Sequence, residues 1–243
     1  MDDKSPFARL VSRRGALGLL GVGGAAALLA AFARRTSAQS GAPQPACVVR
    51  PEQTEGPYFV DEGLNRSDIR SDPETGAVKP GVPVRVTFKV SRMSGGRCVP
   101  LSGAQVDLWH CDGLGAYSDI REVDMITRGE KFLRGYQTTD ATGSAAFTTI
   151  YPGWYRGRSV HMHFKIRTDP KAQRGQEFTS QVYFNDALTD KIFTQPPYAN
   201  RRRRDVRNED DGIFRSGGRR LIIALHEEGK GYAGTFEIAL KSG

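Results

Sequence analysis

Cysteine and histidine are scarce in this chain, at three and four of 243 residues. The cysteines stand at Cys47, Cys98 and Cys111 with no Cys-x-x-Cys pair, so a zinc module built on paired thiolates is excluded. Long helical periods are missing too. No segment repeats its apolar residues every three to four positions over several turns, which excludes a helical body. One long apolar run occurs, the 18 uncharged residues Gly15 to Phe32, preceded by Ser12-Arg13-Arg14 and followed by Thr36-Ser37-Ala38. That order of twin arginine, weakly apolar core and small residues reads as a twin-arginine export signal over residues 1–38. A retained anchor is the other reading, but the run lies near the lower length limit for a span and is rich in Gly and Ala. The expectation is cleavage, no stable membrane insertion afterwards, and a periplasmic or secreted protein. Because this route carries folded cargo, often with a cofactor in place, it also hints at a metal or cofactor in the mature chain.

Excess charge of one sign is likewise small. Residues 1–38 hold six Lys/Arg and two Asp/Glu, so the formal charge of +8 falls by four to +4 once they are removed. Nucleic-acid binding loses its compositional support. The basic run Arg201 to Arg204 is followed by Asp205, Glu209, Asp210 and Asp211, which predicts a solvated loop with local ion pairs.

What remains is a short linker, residues 39–46, and one domain over residues 47–243, long enough for a sizeable core. In an oxidising compartment three cysteines admit one disulfide and one thiol; a Cys47–Cys98 bridge would tie the N-terminal segment to the body, but spacing does not choose the pair. The periodicity is that of strands. Val82 to Val90 sets Val82, Val84, Val86, Phe88 and Val90 on one face; Ala104 to His110 alternates again. GYQTT and SAAFTTI flank Asp140-Ala141-Thr142-Gly143, which predicts a hairpin, and Leu221 to Leu225 and Thr235 to Leu240 predict two further strands. The expected fold is an all-β antiparallel β-sandwich of about seven to nine strands with long loops.

Val160 to Ile166 is itself an alternating strand, with His161 and His163 on the face opposite Val160, Met162, Phe164 and Ile166. Residues two apart on a strand lie roughly 6 to 7 Å apart, so both imidazoles can turn toward one ion. Two ordinary histidines would fit the same pattern, so further donors are needed. Tyr155 stands just ahead of the strand, and Tyr117 lies in the loop after the Ala104 to His110 strand. A phenolate is a hard oxygen donor that suits Fe(III) rather than zinc, and its deprotonation near neutral pH needs a highly charged cation alongside. His110 beside Cys111 is expected to be structural, His226 an exposed strand end, and Trp109 and Trp154 walls of core or pocket.

Together these residues resemble the intradiol ring-cleavage dioxygenases, the group that includes the protocatechuate and catechol enzymes. The resemblance runs from Thr54 to about Phe184, through Thr54-Glu55-Gly56-Pro57-Tyr58-Phe59, Val106-Asp107-Leu108-Trp109-His110-Cys111-Asp112, Pro152-Gly153-Trp154-Tyr155, Gly157-Arg158-Ser159-Val160-His161-Met162-His163 and Gln181-Val182-Tyr183-Phe184. It implies a prealbumin-like sandwich and a mononuclear, non-haem Fe(3+) held by Tyr117, Tyr155, His161 and His163. It also implies a small aromatic diol and O2 as substrates, a charge-stabilising role for Arg158, hydrogen-bonding support from Gln181 and a pocket position for Tyr58. Tyr155 is then the tyrosine displaced by substrate. Residues 39–81 contain no amphipathic helix matching the dimerising region of the catechol branch, so the chain looks more like the exported, stand-alone members, and a homo-oligomer stays open. A different class also fits part of the pattern: Pro100 to Val106 and Thr138 to Gly143 resemble non-catalytic sandwich modules that bind surfaces or sugars. Such a module has no need of converging tyrosines and histidines. A zinc hydrolase would need a carboxylate base that the sequence does not reveal.

Overall fold

The computed structural model describes residues 47–122, 125–170, 175–201 and 203–241. The expected export signal and linker lie outside the described residues. In chain order the strands are β1 Pro83–Ser94, β2 Arg97–Pro100, β3 Gln105–Trp109, β4 Arg121–Glu122, β5 Met125–Ile126, β6 Arg134–Thr138, β7 Ser144–Ile150, β8 His161–Arg167, β9 Glu177–Tyr183, β10 His226–Glu228 and β11 Gly231–Leu240. Two short α-helices, α1 Asp186–Ile192 and α2 Gly212–Arg215, lie between β9 and β10.

Nine strands form two sheets, at the upper end of the expectation, and β4 and β5 add a small separate ribbon. The four-stranded sheet runs β6-β3-β8-β9, all antiparallel. In the five-stranded sheet β1 is central: β11 pairs with it in parallel on one side, and β7 and β2 share the other. The fold is the expected all-β sandwich, and its one parallel pair among the described strands is β1–β11, where the long return of the chain brings two distant strands side by side in the same direction.

Alternation builds the core as the sequence predicts. Val84, Val86, Phe88 and Val90 of β1 are buried against Val106 and Leu108 of β3 and Met162, Phe164 and Ile166 of β8. Phe88 lies 5.1 Å from Phe164 across the sheets and 5.7 Å from Phe236 of β11.

Two sequence expectations change. The Asp140 turn forms, with the Asp140 carboxylate accepting from Thr142 N and Ser144 N, but its flanking strands do not make a hairpin. β6 pairs with β3 and β7 with β1, so the turn carries the chain from one sheet to the other. Turn chemistry specifies a reversal; which partner each strand meets is decided by packing. The second is Leu221 to Leu225, which closes a 3-10 turn at Leu221 and then runs extended, with only an isolated bridge from Ile222 to Tyr183. Leu221 and Ile223 are buried beside β9, so the apolar run marks a core-covering segment rather than a strand.

The histidine face is enclosed as well. β8 is buried on both sides from His161 through Ile166. The segment after Gln53 crosses the outer side of the four-stranded sheet and is tied down residue by residue. Gln53 N donates to Thr179 O, Glu55 pairs with Lys165 at 2.5 Å, and Asp61 pairs with Arg167 at 2.7 Å. Phe59 packs on Trp109 at 4.8 Å and lies under the Lys165 ammonium. The polar face of β8 thus points into a second, enclosed layer.

Candidate metal centre

Cross-strand register assembles the site. Trp109 of β3, His163 of β8 and Gln181 of β9 lie opposite one another in a row, and His161 faces Tyr183 one step along. Tyr117 arrives from the loop after β3, and Tyr155 from the loop between β7 and β8. The Nε2 atoms of His161 and His163 are 2.9 Å apart, and the Tyr155 hydroxyl is 3.3 Å from His161 Nε2. The Tyr117 ring is 5.5 Å from that of Tyr155 and 6.2 Å from that of His163. All four side chains named from the sequence therefore converge. His161, His163 and Tyr117 are buried, and Tyr155 alone of the four is half-buried.

The two histidines are held differently. His161 Nδ1 donates to the Ser159 carbonyl at 2.7 Å, which leaves the Nε2 lone pair directed into the site. His163 Nδ1 is buried with no hydrogen-bond partner among the described residues; its ring instead stacks on Trp109 at 5.2 Å and 12°. On another side the backbone of Gly56 comes so close that a Cβ there would stand 3.2 Å from His163 Cε1.

Arg158 lies on the same side as the histidines because β8 begins only at His161, so strict alternation does not extend back to it. Its Nη1 is 3.3 Å from both the Tyr155 hydroxyl and His161 Nε2; Nη2 donates to Gln181 Oε1 at 2.6 Å and lies 3.3 Å from the Tyr183 hydroxyl. Gln181 is fully engaged, its Nε2 donating to Thr54 O at 3.0 Å and its Oε1 also accepting from Tyr183 at 2.8 Å. Tyr58 packs with its ring centroid 4.5 Å from that of Tyr117, tilted, and 5.8 Å from that of Tyr155, edge-on, and its carbonyl accepts from the buried Arg134.

The protonation states follow from burial. Desolvation, reinforced by the charge of Arg158, holds His161 well below the ordinary imidazole range; desolvation and the neighbouring His161 do the same to His163, so both keep free lone pairs. Burial pushes Tyr155 up to about 12 despite Arg158, and it raises Tyr117 well above the ordinary phenol range with Tyr155 adding to it. Two neutral imidazoles, one buried phenol and one half-buried phenol gathered around one point fit a highly charged, hard cation, which would draw both phenolic protons off near neutral pH. The 2.9 Å between the imidazole nitrogens suits two donors on one ion with bonds of about 2.1 Å. Among the described residues no group of three His, Cys, Asp or Glu side chains gathers, so a zinc-type set is not what has been built.

Several contributors escaped the sequence. Asp211, expected in a solvated loop, is buried and pairs with Arg158 at 2.9 Å; Arg204, from the same stretch, is buried against Asp186 and Asp190. The Asp-Gly-Ile-Phe order is an N-cap signal for α2, but nothing local points to Arg158, 53 positions away. Ser159 and Tyr183 lie within the quoted motifs, but their roles, through a carbonyl and a hydroxyl, emerge only in the folded site. His110 is structural as expected, its Nδ1 at 2.8 Å from Cys111 O and its Nε2 at 2.7 Å from the Thr149 hydroxyl.

The chain resembles known proteins in both sequence and fold. The family model described as Dioxygenase matches residues 54–211. The chain is 26% identical over 151 residues to catechol 1,2-dioxygenase 1 of Acinetobacter lwoffii, a match covering 53% of this chain and 45% of that protein, so the chain spans less than half the length of that relative. Among solved structures, an intradiol ring-cleavage dioxygenase from Tetranychus urticae is 30% identical with a TM-score of 0.67, covering 79% of this chain and 94% of that one. The dioxygenase domain of a carbohydrate-binding fusion protein from Streptomyces sp. SirexAA-E is 27% identical with a TM-score of 0.54, covering 80% of this chain and 99% of that one. Matched over most of its folded part by both family model and structure, the chain belongs to the intradiol ring-cleavage dioxygenases.

Proposed function

We propose that this protein uses a mononuclear, non-haem Fe(III), held by Tyr117, Tyr155, His161 and His163, to cleave a catechol-type diol with O2. The ring opens between the two hydroxyl-bearing carbons, and both atoms of O2 end in a cis,cis-muconate-type dicarboxylic acid. The observation that carries this reading is the convergence of two imidazoles and two phenols on one point in a chain of this family. When bound, ferric iron supplies Lewis acidity and a template for the diol, drawing electron density from the ring so that O2 can attack carbon.

The residues around it have separable tasks. Tyr155, the one of the four that reaches partly to the surface, would as a phenolate beside the bound cation be placed to accept a proton on its Oη from an arriving diol. Arg158 Nη1, between the Tyr155 hydroxyl and His161, supplies positive charge where anionic oxygens develop. Gln181 spends its oxygen on Arg158 and Tyr183, so it acts by holding the guanidinium rather than by touching the diol. Tyr58, over the two tyrosines, walls the site against water. Export through the twin-arginine route and release after cleavage belong to the same proposal. It is supported by the Cys47–Cys98 disulfide, which suits an oxidising compartment.

Purified from its native export route, the protein should carry about one iron per chain and absorb in the visible, and should consume O2 with at least one member of a panel of catechols. The Tyr117→Phe, Tyr155→Phe double variant should lose the visible band. Stoichiometric zinc without iron, or no oxygen uptake with any diol, would remove the reading.

A further inference from the structure

Resting on the function proposed above, we infer that Asp211 is the positioning residue that aims Arg158 at the Tyr155–His161 gap. The Asp211 carboxylate is buried and accepts five hydrogen bonds, divided cleanly between its two oxygens. Oδ1 caps α2, accepting from Ile213 N at 2.8 Å and Phe214 N at 3.3 Å. Oδ2 accepts from Arg158 Nε at 2.9 Å and from Ser159 N and Oγ, both at 3.0 Å.

A guanidinium is planar, so two fixed nitrogens fix the third. Asp211 holds Nε and Gln181 holds Nη2, which leaves Nη1 no choice but to face the Tyr155 hydroxyl and His161 Nε2. Gln181 and Tyr183 are neutral and grip only the far end of the group; the carboxylate grips its base with a charge-assisted bond. Asp211 also anchors the Ser159 amide and hydroxyl, so the turn from which Arg158 projects is tied to α2 rather than to the neighbouring strand. The carboxylate itself stays ionised. Burial alone would raise it, but the Ser159 hydrogen bonds and the Arg158 charge outweigh burial and hold it below the ordinary carboxylate range.

Asp211→Asn divides these roles, because asparagine caps a helix as well as aspartate does but has one acceptor oxygen to share among five donors. With the oxygen on the helix, an NH2 group faces Arg158 Nε–H and the guanidinium is released. The variant should keep its iron and its KM within about threefold, lose about 10- to 100-fold in kcat, and shift the visible band, since Nη1 no longer donates to Tyr155. In a double-mutant cycle, Asp211→Asn in an Arg158→Ala background should add less than about threefold to the loss from Arg158→Ala alone. Arg158→Lys gives a second route that leaves Asp211 intact: an ammonium can reach Asp211 or the gap but cannot bridge both, so kcat should fall at least about tenfold with iron retained. Multiplicative losses in the cycle, a native kcat and band in Asp211→Asn, loss of iron from that variant, or a native kcat in Arg158→Lys would each overturn the inference. A wild type that holds no iron would remove the functional reading and this inference together, whereas an active wild type with an indifferent Asp211→Asn removes this inference alone.

Discussion

A missing side chain governs where His163 can sit. Gly56 has a φ of +74° and lies against the His163 ring, so an alanine there meets two obstacles. The left-handed backbone costs about 1–2 kcal/mol for a residue with a Cβ, and the new methyl sits 3.2 Å from Cε1, where the ring must give way. Because His163 Nδ1 has no hydrogen-bond partner among the described residues and its ring relies on stacking against Trp109, little resists that push. Gly56→Ala should therefore lower iron retention at least about tenfold in dialysis against a chelator, with strand content by circular dichroism unchanged. Retention equal to wild type would show that the ring is held by something other than this packing. In the sequence Gly56 is legible as part of a Gly-Pro-Tyr motif and Trp109 as a wall. Their shared contact with His163 is not, since it arises only after three distant segments are stacked.

At the scale of the element, β8 carries two independent functions on its two faces, and they should separate by mutation. Phe164, fully buried between the sheets against Phe88 and Phe236, belongs to the sandwich core. Phe164→Ala should cost about 3–5 kcal/mol in urea unfolding while the folded protein still binds iron. His163→Ala on the opposite face should lose the iron, and compared with metal-free wild type it should lower the urea midpoint by less than Phe164→Ala does. Equal destabilisation by both would mean that the metal layer and the core are one cooperative unit. The alternation that predicts this division is a local property of the strand, legible in the order of residues from Val160 to Ile166 alone. The hairpin expected at Asp140 and the strand expected at Leu221 to Leu225 do not form for the complementary reason. A turn signal or an apolar run reports local conformation, while strand pairing is a property of whichever neighbour packing supplies.

At the scale of the molecule, the Cys47–Cys98 disulfide closes a loop with a sequence separation of 51 and ties the segment ahead of Gln53 to the β1–β2 end of the five-stranded sheet. Constraining a loop of that length in the unfolded chain is worth about 2–4 kcal/mol. Cys47→Ser, Cys98→Ser should lower the unfolding free energy by about that amount in urea denaturation and leave iron per chain unchanged, since the histidines lie on the far side of the other sheet. Unchanged stability would show that the segment is held by its noncovalent contacts alone, among them Ala239 N to Val48 O and Gln53 N to Thr179 O. The buried thiol of Cys111, raised by desolvation, takes no part in the bridge.

By itself the sequence determined the strand periods, the placement of both histidines on one face of one strand, and the motifs that identify the family and its four candidate donors. The strand periods and the shared histidine face depend on residues a few positions apart, where backbone geometry alone relates them, and the family and its donors are read from the resemblance of the motifs. Only the tertiary structure decided that the histidine face is enclosed, that β1 meets β11 in parallel, that Cys47 rather than Cys111 bridges to Cys98, and that Arg158 turns toward the tyrosines under the hold of Asp211. Those contacts join residues tens of positions apart. They become favourable only once both partners are buried together, because a charge or hydrogen bond taken out of water is stabilising only where the matching group is already in place.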